Sequence, residues 1–384
     1  MTAITISQVL DSYDENNTVQ KNNTTIDLIE KQIACFESGS SALAYRSFRS
    51  ARFSLIKNIK RNKNVNVLSF EPYTNWTSDI KALERIGVQV KYTDYYELDE
   101  LSEKLLLQKI NIIYLSTIHT KKITIHDFNY IIHTAHINNV EVIFDNSFGA
   151  LGSIYAPIAD GADYVITNVS ETDTFKNTLI GAFVVKSYSV AESSLNIFEE
   201  HWIEKIKHKR GISFANKVLI NIKEDRIVTL LEEERSRQLE YSKVALTISK
   251  WLSRHESIME VVYPGIEKNE FYLLADKYLE KGFGAKLKFS LWDNEYSYAI
   301  VRGYFLTALF SGLKIIVDKE TKEFYIEVLT TDSISVLRYL QKVFSNLYTN
   351  ISFRNTLLKK KEEKMNAQKY VQYSLTHYIS KRKY

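Results

Sequence analysis

Two carboxylates and one lysine in the middle of the chain have side chains that can act in acid–base or nucleophilic catalysis. Asp145 follows an apolar run at 140–144, and Glu171 and Lys176 follow another at 164–167. If a sheet places Asp145 and Glu171 across one cavity, the pair would suit acid–base work, with one pKa raised. The simpler alternative is that Asp145 caps the end of a strand.

Two histidines also have a spacing that can bind a metal. His133 and His136 are three residues apart within a predicted helix at 125–137. The sequence offers no third ligand beside them, and this favours a surface or packing role. The sequence therefore predicts no metal site. It also contains no glycine-rich nucleotide loop and no nucleophile elbow.

The elements that must position these residues alternate along the first half of the chain. Helical spacing predicts helices at 26–36 and 41–61. Strand-like apolar runs follow, several of them separated by helical patterns, at 65–70, 88–93, 110–116, 140–144, 164–167 and 180–185. Continuous apolar strands with helical crossovers predict an α/β fold with a large, mainly parallel, doubly wound sheet covered on both faces.

Beyond residue 186 the sequence changes character. A charged helical stretch at 216–254 leads into a smaller α/β unit with strands predicted at 285–291, 313–317 and 324–329. Four parts are predicted: an N-terminal arm with the first helix (1–38), a large domain (39–245), a small C-terminal α/β domain (246–350) and a basic C-terminal extension (351–384).

Composition narrows the class of protein. A chain of 384 residues with 45% hydrophobic and 25% charged residues excludes disorder as its main state. The single cysteine, Cys35, excludes a disulfide framework and favours a reducing, cytoplasmic location. No stretch approaches the roughly 18 apolar residues of a membrane span.

The C-terminal extension is basic, with nine basic and two acidic residues between 351 and 384. Such a charge run is most often a solvated helix, and contact with an acidic partner is the alternative. No nucleic-acid-binding motif accompanies it, so nucleic-acid binding is not expected.

Several stretches, in a fixed order, resemble one family of enzymes. They are the runs at 28–34 and 37–44, Val142-Ile143-Phe144-Asp145-Asn146-Ser147-Phe148-Gly149, the run at 157–163 that ends in Gly-Ala-Asp, Val262-Tyr263-Pro264-Gly265 and Gly282-Phe283-Gly284. They are similar to those of the pyridoxal-phosphate (PLP) enzymes of cysteine and methionine metabolism. This trans-sulfuration group contains cystathionine synthases and lyases and O-acetylhomoserine sulfhydrylases. The resemblance covers 23–347 and implies a fold-type I, PLP-transferase-like architecture.

Two residues match the family's cofactor site. The resemblance places Asp145 where an acid keeps the pyridine nitrogen of PLP protonated, and Tyr73 where an aromatic ring stacks on the pyridine face. The position of the Schiff-base lysine, however, holds Glu171, directly after Ser170. A carboxylate cannot condense with an aldehyde. Lys176 would substitute only if the alignment contained a compensating pair of gaps.

The phosphate position also differs from the family pattern. The family presents a glycine-containing turn at a helix N-terminus, whereas this chain has Phe48 at the glycine's position. Arg46, Arg49 and Arg52 would substitute in part, because a guanidinium binds phosphate bidentately. The alternative, which the sequence favours, is that these arginines are exposed or contact a partner.

Other family contacts are replaced. Thr18 and Gln20 stand for a tyrosine and an arginine that the neighbouring subunit contributes to the phosphate site. Thr120 stands for the asparagine that contacts the cofactor's ring oxygen, and Tyr325 stands for the arginine that binds the substrate carboxylate. The candidate cofactor-binding residues are therefore Tyr73, Asp145, Arg49, Thr120 and Ser170.

These replacements predict a divergent, catalytically inactive homologue in which PLP binding is weak or lost. It would act as a partner or regulatory subunit, as a homodimer or as a heteromer with an active paralogue. Two alternatives stay open. One is an active PLP-dependent sulfur amino-acid lyase or transferase that uses Lys176 or non-covalently held PLP. The other is a remodelled pocket for another anionic ligand, lined by Arg49, Tyr73, Asp145 and Glu171.

Overall fold

The computed structural model describes residues 28–45, 47–59, 64–71, 77–93, 100–168, 182–187, 224–292, 296–345 and 347. The chain divides into two compact units. The first contains Met1–Leu239 and Leu273–Gly284, and the second contains Glu240–Tyr272 and Ala285–Tyr384. The domain boundaries given by the sequence stay predictions, and the basic extension lies outside the described residues.

The first unit is built on a seven-stranded sheet. Its strands are β1 (Ser41–Tyr45), β2 (Val65–Ser69), β3 (Val88–Tyr92), β4 (Ile112–Ser116), β5 (Glu141–Asp145), β6 (Tyr164–Asn168) and β7 (Ala182–Lys186). Across the sheet they lie in the order β1-β7-β6-β5-β4-β2-β3. Strands β2 to β6 pair in parallel, and β7 pairs antiparallel with both β1 and β6. The mainly parallel sheet predicted from the sequence is confirmed.

Helices follow most of these strands, as parallel crossovers require. They are α1 (28–36), α2 (Phe48–Ile59), α3 (Thr77–Arg85), α4 (Leu101–Leu107) and α5 (Phe128–Ile137). Strand β4, which lies between β5 and β2, is buried at every position, which explains its unbroken apolar sequence. Helix α2 packs Ala51, Leu55 and Ile56 into one core cluster with residues of the sheet.

The prediction of a helix at 41–61 is wrong for its first seven residues. Residues 41–45 form strand β1, and α2 begins only at Phe48. Ser41 to Tyr45 pair with Lys186 to Ala182 of β7, more than 130 residues away along the chain. Local apolar spacing cannot reveal such a distant partner, and tertiary pairing overrides local propensity here.

The second unit contains a four-stranded antiparallel sheet in the order β10-β11-β9-β8. Its strands are β8 (Ile258–Val262), β9 (Lys286–Leu291), β10 (Leu313–Val317) and β11 (Phe324–Val328). Helices α8 (Tyr296–Thr307) and α9 (Ser333–Ser345) belong to it, and α6 (Glu224–Arg254) and α7 (Tyr272–Tyr278) contribute residues to both units. The three strands predicted for this unit are confirmed, and β8 was not predicted as a strand.

No helix within the described ranges combines the length and the apolarity needed to cross a membrane.

Candidate functional site

Three neighbouring parallel strands of the first unit end at the same edge of the sheet. Strand β2 ends at Ser69, β4 ends at Ser116 and β5 ends at Asp145. Ser116 pairs directly with Asp145 in the ladder between β4 and β5. The carboxyl edge of a parallel sheet is where α/β proteins of this kind bind ligands. The fold therefore brings the aspartate selected from the sequence to the expected edge.

Asp145 is buried, and both of its carboxylate oxygens have partners. The backbone N–H and the hydroxyl of Ser147 donate to Oδ1 at 3.1 and 2.6 Å, and the Tyr114 hydroxyl donates to Oδ2 at 3.3 Å. Burial raises the pKa of Asp145 to about 6, and the charge of Glu71 adds to this rise. The Ser147 bonds and Arg52 oppose it because they stabilise the ionised form.

Arg52 of α2 reaches these strand ends from the adjacent helix. It is only 6% exposed. A side-chain hydrogen bond joins it to Tyr114, and its guanidinium carbon lies 5.7 Å from the centre of the Tyr114 ring. Burial, followed by the charge of Asp145, raises the pKa of the Tyr114 phenol, and Arg52 opposes that rise.

Glu71 and Thr120 complete the group. Glu71 lies two residues beyond β2 and is 2% exposed. The Thr120 hydroxyl donates to its Oε2 at 2.5 Å, and the Thr120 backbone N–H lies 3.4 Å from both carboxylate oxygens. Arg52, Glu71, Tyr114, Thr120 and Asp145 are called the buried charge cluster below.

A second buried carboxyl, that of Glu37, is hydrogen-bonded to Asn146, the residue that follows Asp145 in the chain. Glu37, after α1, is completely buried, and its Oε2 accepts a hydrogen bond of 2.8 Å from the Asn146 amide. Asn146 also accepts from the Thr117 hydroxyl at 2.5 Å. Burial raises the pKa of Glu37 to about 8, while the bonds from Asn146 and Thr167 act in the opposite direction. This network ties the end of α1 to the ends of β4, β5 and β6.

The N-terminus of α2 is capped by its own serines. The Ser50 backbone N–H donates to the Ser47 hydroxyl at 3.2 Å, and the Ser47 backbone N–H donates to the Ser50 hydroxyl at 3.1 Å. This reciprocal pattern is a capping box. Phe48 is half-buried in the first turn, with its ring centre 5.7 Å from the Arg52 guanidinium carbon.

The sequence-predicted site residues are only partly brought together. Asp145 and Thr120 both belong to the buried charge cluster, whereas Arg49 is exposed in the first turn of α2. The expectation that Arg46, Arg49 and Arg52 are exposed is wrong for Arg52. Four candidate residues, Tyr73, Ser170, Glu171 and Lys176, lie outside the described residues, as does Arg46.

Two members of the cluster, Glu71 and Tyr114, were missed from the sequence, and Arg52 was named there only as a phosphate ligand or an exposed or partner-contacting residue. For Arg52 a signal existed. It lies three and four residues before Leu55 and Ile56, on the stripe of α2 that faces the core. A charged residue at such a position needs a buried partner, because an unpaired buried charge is costly.

The two histidines predicted on one helix have different surroundings on α5. The Nε2 atom of His136 lies 3.1 Å from the Asp163 carboxylate, and His133 is exposed. Within the described ranges, no three His, Cys, Asp or Glu side chains are grouped so as to hold a metal ion.

Tyr325, predicted at the position of the family's carboxylate-binding arginine, lies in β11 of the second unit. Its hydroxyl donates to Glu323 at 2.9 Å, and Lys286 lies 5.7 Å from its ring centre. Glu323 also accepts from Lys288 at 2.8 Å. The Tyr325 hydroxyl is therefore held by a neighbouring carboxylate within the same unit.

A mainly parallel seven-stranded sheet with a buried aspartate at its carboxyl edge, together with an antiparallel sheet in a second unit, defines the class of fold-type I PLP proteins. A solved structure from Campylobacter jejuni subsp. jejuni, assigned as an O-acetylhomoserine (thiol)-lyase and carrying N'-pyridoxyl-lysine-5'-monophosphate, has this fold. It superposes with a TM-score of 0.66 at 20% identity and covers 83% of this chain and 85% of its own.

The chain belongs to the family of Cys/Met metabolism PLP-dependent enzymes, whose model matches residues 12–314. A homocysteine/cysteine synthase from Saccharomyces cerevisiae is 26% identical over 71% of this chain and 66% of its own length. A homocysteine synthase from Schizosaccharomyces pombe is 27% identical over 70% of this chain and 67% of its own length. An L-methionine gamma-lyase from Fusobacterium nucleatum subsp. polymorphum is 26% identical over 70% of this chain and 65% of its own length.

The chain thus spans about two thirds of the length of these relatives. Its resemblance to the trans-sulfuration family and its fold-type I class, both inferred from sequence motifs, are confirmed. The family's cofactor is PLP.

Proposed function

We propose that this chain is a non-catalytic member of the family, which acts as a partner or regulatory subunit and does not bind PLP tightly. The observation that carries the proposal is the N-terminus of α2, where serine hydroxyls of the chain accept from two of the backbone N–H groups that a phosphate would use. The cytoplasmic location expected from the single cysteine is part of the same proposal.

A phosphate at a helix N-terminus is bound by free backbone N–H groups and by the helix dipole. In α2 the N–H groups of Ser47 and Ser50 already donate to serine hydroxyls. The half-buried Phe48 side chain also lies in this first turn, at the family's glycine position. Phosphate binding would require the capping box to open and Phe48 to move, so these residues do not fit the phosphate group.

The strand ends, where the pyridine ring of PLP would lie, fit the cofactor better than the N-terminus of α2, where its phosphate would lie. Asp145 is a buried acid at the strand end, as a pyridinium nitrogen would require. Its Oδ2, however, accepts a hydrogen bond from Tyr114, and Thr120 is bonded to Glu71. These contacts support the proposal that the described residues do not hold PLP tightly.

The sequence adds an independent argument at the position of the Schiff-base lysine. Glu171 stands there, and a carboxylate cannot form the covalent link. Losses at the phosphate position, the lysine position and Thr120 involve separate parts of the chain. They support a fold that is retained for association with another chain, since sites in this family are built from two subunits.

The proposal is tested by mixing the purified chain with an active, lysine-containing relative. We expect co-elution in size-exclusion chromatography and a change in the relative's turnover, with no turnover by the chain alone. As a control, the relative is mixed with an unrelated protein of similar mass. Turnover of O-acetylhomoserine or methionine by the chain alone would contradict the proposal and favour an active enzyme that uses Lys176 or non-covalent PLP.

The same preparation distinguishes the remaining alternative. A remodelled pocket for another anionic ligand predicts that inorganic phosphate or sulfate raises the melting temperature, and that Arg49→Ala abolishes this rise. Protection by either ion, without association with a relative, would replace the partner role by a ligand-binding role.

A further inference from the structure

The buried charge cluster places two carboxylates and one guanidinium at the same strand ends. Glu71 and Asp145 are 2% and 9% exposed, and Arg52 is 6% exposed. Burying a carboxylate without compensation is costly, and two neighbouring carboxylates increase that cost for each other. Two ionised carboxylates at this place therefore need a positive charge nearby.

Arg52 meets this requirement from within the chain. Of the charges that act on Asp145, that of Glu71 disfavours its ionised form and that of Arg52 favours it. The contact is indirect: Arg52 is hydrogen-bonded to Tyr114, whose hydroxyl donates to Asp145 at 3.3 Å. Charge-assisted hydrogen bonds of this type are stronger than those between neutral groups.

We propose that Arg52 is the internal counter-ion of Asp145 and Glu71, acting on Asp145 through the Tyr114 hydroxyl, so that the strand ends are stable without a bound ligand. This inference rests on the proposed absence of tightly bound PLP. Arg52 is a positioning residue in this role: it fixes the charge state and the orientation of Asp145 and contacts no substrate.

A double-mutant cycle on the full chain, read by urea unfolding, tests the proposal. The variants are Arg52→Met, Asp145→Asn and the double variant. Arg52→Met alone is expected to raise the unfolding equilibrium constant about tenfold or more, because it leaves buried carboxylates without their counter-ion. In the double variant the two effects are expected to be non-additive by at least about tenfold, or about 1.4 kcal/mol.

The control is Lys57→Met, which removes an exposed cation from the last turn of the same helix. It is expected to change the unfolding constant by less than about threefold. If Arg52→Met does not fold, the cycle is run with Tyr114→Phe and Asp145→Asn, because Tyr114→Phe removes only the linking hydroxyl. If the changes in unfolding free energy are additive in whichever of these two cycles can be measured, the proposal is overturned.

A second readout separates a charge role from a packing role. Asp145 is surrounded by Glu71, Tyr114, Ser147 and Arg52. Removing Arg52 raises the folded-state pKa of Asp145 further, so stability should fall with rising pH over a range that extends above about 6. Arg52→Lys should restore the wild-type range, and an unchanged range in Arg52→Met would contradict the counter-ion role.

Failure of the counter-ion proposal and failure of the proposed function give different experimental results. If PLP raises the melting temperature of the wild-type chain, the non-catalytic proposal fails. The cycle in the cofactor-free chain still decides whether Arg52 and Asp145 are coupled.

Discussion

Asn146 lies between two buried carboxyl groups whose pKa values are both raised. It follows Asp145 in the chain, and its amide donates to Glu37. The pKa of Asp145 is raised to about 6 and that of Glu37 to about 8, in each case mainly by burial. Two proton-binding groups at the strand ends make the stability of the first unit depend on pH.

Glu37→Gln tests this dependence for the more strongly shifted group. Between the ordinary pKa of 4.5 and about 8, folded Glu37 binds a proton that unfolded Glu37 has lost. The wild type therefore loses stability as pH rises through this window, and Glu37→Gln removes that loss. We expect the variant's stability relative to the wild type to increase by roughly 2 to 4 kcal/mol between pH 5 and pH 8.

The measurement is the urea midpoint of both proteins at several pH values across this window. The control variant is Glu84→Gln, which removes an exposed carboxylate from α3. A constant difference between Glu37→Gln and the wild type from pH 5 to pH 8 would contradict a raised pKa at Glu37.

Conservative substitutions can separate the contribution of the Thr120 hydroxyl from that of its side-chain shape. Its hydroxyl donates to the buried Glu71 carboxylate. Thr120→Val removes the donor but keeps the shape, and the expected loss is about 1 to 3 kcal/mol of unfolding free energy, because a buried acceptor loses its partner. Thr120→Ser keeps the donor and should lose clearly less. Equal losses in thermal or urea unfolding would show that the methyl group, not the hydroxyl, matters.

Helix α2 combines two features that affect ligand binding. Its first turn closes on itself through Ser47 and Ser50, and its buried face carries Arg52 to the strand ends. One helix thus caps its own N-terminus, where the proposal expects the phosphate of PLP, and supplies a charge to the strand ends, where the proposal expects the pyridine ring.

Removing the cap tests the first of these features. Ser47→Ala is expected to lower stability by about 1 kcal/mol, the usual cost of losing a serine N-cap. Addition of inorganic phosphate should not change the difference, because the ion does not bind there. The control is Ser54→Ala in the interior of α2, where alanine favours the helix. A wild-type melting temperature that rises with phosphate, and does so less in Ser47→Ala, would indicate an open anion site.

The strands could be predicted from sequence where apolar runs are continuous, as in β4 and β5. Strand β1 could not, because its partner β7 lies more than 130 residues away and its five residues also fit helical spacing. Asp145 was found because a motif marks it. The burial of Arg52 was missed although it lies on the apolar stripe of α2, since Tyr114 and Asp145 become its neighbours only in the folded sheet.

Family membership and fold could be predicted from the sequence, whereas the activity of the protein could not. The family model matches residues 12–314, and relatives of 26 and 27% identity match 71% and 70% of this chain. Packing positions tolerate such divergence when volume and pattern are kept. A cofactor site tolerates it far less, because binding and chemistry depend on single side chains. In the function proposed above, one such side chain is Glu171, which lies outside the described residues.

The most direct test of the account is covalent trapping of the cofactor. The purified 384-residue chain is incubated with excess PLP, reduced with borohydride and analysed by intact mass and peptide mapping. An active, lysine-containing relative is treated in the same way as a positive control. We expect no stoichiometric pyridoxyl adduct and no visible absorption band of bound PLP. One pyridoxyl group per chain, at Lys176 or at any other lysine, would contradict the account.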